Sequence, residues 1–141
     1  MNYLPWAILA LVAYTLVPVL MRVATTGSEA IPSDVATVIS NTILIVAALV
    51  VVAATGQRVM PHLGSSKLPY ALAAGVFLAI GIIAYYRALA LGPVSVVTPI
   101  FGLFLITSSV LGIAVLGESL TTRKFAGICL AVVAVYLVTV E

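Results

Sequence analysis

Charge is what this chain has least of. Only 7% of its 141 residues are Asp, Glu, Lys or Arg, while 64% are hydrophobic, and soluble domains carry about 25% charged residues. A soluble core of this length cannot hide so much apolar surface, so lipid must be the solvent. Cysteine is nearly absent too. Cys129 stands alone inside an apolar run, which rules out an intrachain disulfide and reads as packing. The single histidine, His62, falls in a polar connection, and no apolar run carries His, Lys or Glu in its interior. There is no Ser-His-Asp set, no metal-ligand cluster and no glycine-rich phosphate loop beside a strand. The chain is therefore expected to be no enzyme, with no cofactor and no metal. A net charge of +2, scattered over the ends of the runs, gives no footprint for nucleic acid.

What remains is five apolar runs. About 20 residues of helix, rising 1.5 Å each, cross roughly 30 Å of hydrocarbon. Span one is expected over 4–22, span two over 33–55, span three over 68–91, span four over 94–116 and span five over 122–140. The expected fold is an all-α membrane protein, a bundle of five transmembrane helices forming one domain over 1–141. Pro32-Ser33-Asp34 and Lys67-Leu68-Pro69 suit helix starts, because an early proline loses no needed donor. Met1-Asn2-Tyr3 supplies no basic n-region, so the first run reads as a span rather than a cleaved leader. Arg58, Lys67, Arg123 and Lys124 fall on the side of the N-terminus; Arg22 and Arg87, with Glu29, Asp34 and Glu141, fall on the other. Four basic residues against two predict a multi-pass protein of the plasma membrane with a cytoplasmic N-terminus and an external C-terminus.

Several polar or bent positions stand out against this background. Pro18 and Pro99 lie inside spans, where each frees a carbonyl and bends the axis. They are candidate hinges, and Asp34 joins them as a gating candidate on the same external side. Arg87 is the one basic residue well inside a span, four residues before Leu91. It either snorkels to the interface or faces the interior and pairs with Asp34 or with an anionic substrate group. Asp34, Thr37 and Asn41 share one helical face at i, i+3 and i+7. Asn41 lies about two turns in and serves either as glue between helices or as a cavity group. Tyr14, Tyr86 and Thr98 can add hydroxyls and rings to the same cavity. The series Ala71, Gly75, Ala79 and Gly127, Ala131, Ala134 mark faces for close helix approach.

Tyr86, Ala88-Leu89, Ser95, Leu116-Gly117-Glu118, Leu120-Thr121 and Gly127 resemble the EamA-like repeat of the drug/metabolite transporter superfamily. The likeness covers the C-terminal two-fifths by motif and the remainder by hydropathy and helix count. Pro99 departs from it, since members often carry a helix-breaking proline near the position of Leu105. The resemblance implies a secondary transporter or facilitator of a small polar metabolite, working by alternating access. Tyr14, Asn41, Tyr86, Arg87 and Thr98 are its expected substrate-binding residues. Glu118 and Gly127 are motif residues, with Glu118 expected to accept backbone N–H bonds at the start of span five, beside Arg123. The small multidrug exporters are similar in size but carry a carboxylate in their first helix, which span one lacks. Members of the resembled family usually hold two five-helix repeats related by inversion, and one repeat recovers that symmetry by pairing. A homodimer, antiparallel in the arrangement that restores the inversion, is therefore the expected working unit in the bilayer. The alternative is a non-transporting membrane subunit that packs with and stabilises a larger carrier.

Overall fold

A helix in hydrocarbon satisfies its own backbone, so each apolar run has one stable form. The computed structural model describes residues 3–140. Met1, Asn2 and Glu141, which enter the leader and charge arguments, lie outside the described residues. Five helices follow in order: α1 (Leu4–Ala24), α2 (Ser33–Ala54), α3 (Leu68–Leu91), α4 (Val94–Leu116) and α5 (Thr122–Thr139). A 3-10 turn, Met60–His62, interrupts the α2–α3 connection. All five are long and apolar enough to cross a membrane, and no strand occurs among the described residues.

Helix α1 runs two residues past Arg22. A cation in the last turn suits a helix C-terminus, so the charge does not end the helix. Hydroxyls from Thr25 and Thr26 then donate to the Met21 and Arg22 carbonyls at 2.8 and 2.7 Å, and Gly27 at φ 101° turns the chain. Helix α2 closes on Gly56 at φ 67°. The Gly56 and Gln57 N–H groups donate back to Ala53 and Val52, each at 3.1 Å, a Schellman closure that satisfies carbonyls left over at the helix end.

The chain falls into two compact units, divided between Ala90 and Leu91. In the first, burial is concentrated near one end of three helices. Pro18 and Met21 are buried late in α1, Ala36 and Thr37 early in α2, and Tyr85, Tyr86 and Leu89 late in α3. Farther along, Val50 and Phe77 are exposed, as lipid-facing side chains should be. In the second unit α4 and α5 pack against each other. The less exposed positions of α5 are Ile128, Ala131, Val135 and Thr139. Their near-helical spacing marks one face.

Candidate functional site

The buried end of the first unit also carries Arg22, Asp34 and Arg87. Leu89 is fully buried, and the helical donor for its carbonyl would be the N–H four residues on. That residue is Pro93, which has none. The Arg22 guanidinium takes the place of the missing donor: Nη1 reaches the Leu89 carbonyl oxygen at 2.6 Å. A cation at a helix C-terminus also suits the dipole of α3. This bond ties α1 to α3.

A second guanidinium ties α3 to α2. Arg87 donates from Nε to Asp34 Oδ1 and from Nη2 to Asp34 Oδ2, both at 2.9 Å. Two parallel bonds of this kind are the fork-to-carboxylate geometry that only arginine supplies. Asp34 sits in the first turn of α2, where the helix dipole favours an anion. Unlike Arg22, the pair is open: the side chains are 60% and 59% exposed.

The remaining expected site residues are placed as follows. Tyr86 is buried, with its ring 6.0 Å from that of Tyr85. Asn41 donates from Nδ2 to the Thr37 carbonyl at 2.9 Å, and Thr37 donates to the Ser33 carbonyl at 2.7 Å. The polar stripe on α2 thus bonds back along its own helix, which leaves the Asn41 carbonyl oxygen to accept. Tyr14 is 67% exposed and stands away from the buried end. Its carbonyl lies opposite Pro18 in the helical ladder, so that ladder bond is missing. Thr98 and Pro99 are half-buried on α4 in the second unit. The structure therefore joins Asp34 to Arg87 directly and does not gather Tyr14 or Asn41 around them. Sequence reasoning missed Arg22 as a bonding partner. Its available signal was Pro93, spaced to orphan the Leu89 carbonyl.

In the second unit a cavity of about 360 Å³ lies between Ile106, Ser109 and Ile113 of α4 and Lys124, Gly127 and Ile128 of α5, with Glu118 at its edge. Glu118 does not cap α5. That place is taken by Thr121, whose Oγ1 accepts from the Lys124 N–H at 3.2 Å, as a threonine before a helix does well. Glu118 instead lies over α4, with its carboxyl carbon 3.4 Å from where a Cβ on Gly112 would sit. Ser109 donates to the Leu105 carbonyl at 2.8 Å. No group of three or more His, Cys, Asp or Glu residues able to hold a metal occurs among the described residues.

The profile of the EamA-like transporter family matches residues 1–140. The chain belongs to that family. Among curated proteins, this EamA-like chain is 30% identical over 128 residues to an "Uncharacterized transporter in cobO 3'region" of Sinorhizobium sp. The alignment covers 87% of this chain and 86% of the relative, so the two are of similar length. No solved structure matches the chain. Membership of the EamA-like family makes the protein a membrane transporter of the drug/metabolite type and points away from catalysis. The match extends over the first three helices, which the motifs near Glu118 did not reach.

Proposed function

We propose that the chain carries a small polar metabolite across the plasma membrane by alternating access, and that its working unit is a dimer. The observation that carries the reading is the asymmetry of the first unit. Its three helices are bonded and buried near the ends that the charge count assigns to the external side. Toward their opposite ends their side chains are mostly exposed. Alternating access needs an end that closes and can open again, and an exposed ion pair is the contact most easily exchanged there. Arg87 with Asp34 is the external gate in this reading, and Pro18 supplies a hinge in α1. Tyr86 lies next to the gate in sequence.

Pairing is supported by small-residue faces that are open within each unit. A side chain added at Gly75 or Gly127 would meet no atom within 4 Å, although small residues at such spacing serve close helix approach in lipid. A second five-helix copy, inverted in the membrane, supplies both the missing contacts and the symmetry that alternating access uses. Single cysteines at Ser65 and at the C-terminus, each in a Cys129→Ala background, test this in intact cells. Labelling of both sites from outside, in separate variants, is the expected result. Labelling of the C-terminal site alone would exclude antiparallel self-pairing. The same open faces also fit a subunit that stabilises a larger carrier, and saturable uptake by the purified chain alone separates the two readings.

A further inference from the structure

The two arginines at the bonded end differ in what they are free to do. Arg22 is partly buried and committed to a carbonyl that has no helical donor. Its removal strands a buried acceptor, so its role is structural. Among the described residues Arg87 is held only by Asp34, with both side chains mostly exposed. The bond it makes is the one a dissolved carboxylate would make, with two oxygens facing Nε and Nη2. Exchange of one carboxylate for another leaves Arg87 paired. The displaced Asp34 remains at the N-terminus of α2 and in contact with solvent, where an anion is tolerated. No charge is left buried and alone at any stage.

Resting on the transport reading above, we infer that the substrate class is carboxylate-bearing solutes, and that Asp34 is a built-in substitute for the substrate. When the site is empty, Asp34 occupies Arg87 and holds α2 to α3. An incoming carboxylate takes the same fork, releases Asp34 and unties the two helices. Binding and opening are then one event, because the group that recognises the solute is the group that closes the gate. Uncharged analogues of the same shape cannot compete for the fork, and organic cations meet Arg87 as a like charge.

The test uses the full chain in phosphatidylcholine vesicles, which contain no carboxylate headgroup. Thermal unfolding is followed against acetate and lactate and against their amides, acetamide and lactamide, at constant ionic strength. The carboxylates should stabilise the wild type and the amides should not. In Asp34→Asn the competitor is gone, so the carboxylate response should appear at roughly fivefold lower concentration, the scale set by an exposed ion pair. In Arg87→Lys, which keeps the charge and loses the fork, the response should weaken. Equal responses to acid and amide, or an unshifted response in Asp34→Asn, would overturn the inference. So would stabilisation by phosphatidylserine in the vesicles with none by free carboxylates. Saturable uptake confined to neutral or cationic solutes would remove the carboxylate assignment and leave the transport reading standing. Carboxylate-selective binding without uptake would do the reverse.

Discussion

In the first three helices the two arginine bonds run between helices; around the start of α5 the capping bonds run along the chain. Arg22 and Leu89 are 67 residues apart, and Arg87 and Asp34 are 53 apart. In the second unit Thr121 caps the N–H of Lys124 three residues on, and the Lys124 ammonium returns to the Ser119 carbonyl at 2.9 Å, five residues back. Gly117 takes φ 69° and the following Glu118 N–H closes on the Gly112 carbonyl at 3.4 Å. Local bonds form with the hairpin itself and need no third partner. Long-range bonds can be broken while each helix stays intact. In the transport reading proposed above, the first unit opens and closes while the second holds its shape.

That contrast predicts different responses to substitution. The largest stability effect is expected at Arg22. Arg22→Met removes a charge-assisted bond and strands a buried carbonyl, at a cost of about 2 kcal/mol, read by thermal or denaturant unfolding of the purified protein. Pro93→Ala restores a backbone N–H four residues beyond Leu89. The double variant should therefore lose less than the sum of the two single changes. Strict additivity would show that Arg22 does not stand in for the missing donor.

In the second unit Gly117→Ala forces a Cβ into the left-handed region and should cost about 1.5 kcal/mol. Thr121→Ala, which deletes the α5 cap, should cost about 1 kcal/mol. Both should lower the unfolding midpoint while uptake per folded molecule stays at the wild-type level. Lost uptake in a fully folded Thr121→Ala protein would break the division of labour between the units.

The five helices were legible because hydrocarbon leaves an apolar run of this length no other form. The cap at Thr121 was partly legible, since Thr121-Thr122 marked the start of span five. The accepting role at that start is expected of Glu118 and is taken by Thr121, because sequence order cannot tell which of two nearby acceptors turns toward the helix. Asp34 was one of two stated partners for Arg87, found from their shared membrane side. The bond from Asn41 back to Thr37 was not legible. A donor within reach of its own helix competes with any neighbour, and the choice is made by rotamer and packing. Arg22 escaped notice as an ordinary basic residue at a span end. Only the pairing of two facts, an arginine leaving α1 and a proline four residues past Leu89, reveals its bond.

The claim that most needs testing is that Arg87 works by its fork and not merely as a charged anchor. Arg87→Lys can still reach the interface and still neutralise Asp34, but it cannot make two parallel bonds to one carboxylate. The measurement is uptake into sealed vesicles containing only the purified chain, alongside its unfolding midpoint. The account predicts saturable uptake by the wild type, and an Arg87→Lys protein with an unchanged midpoint and uptake at background. Wild-type uptake retained in the Lys variant would contradict it and would leave Arg87 an anchor at the membrane surface.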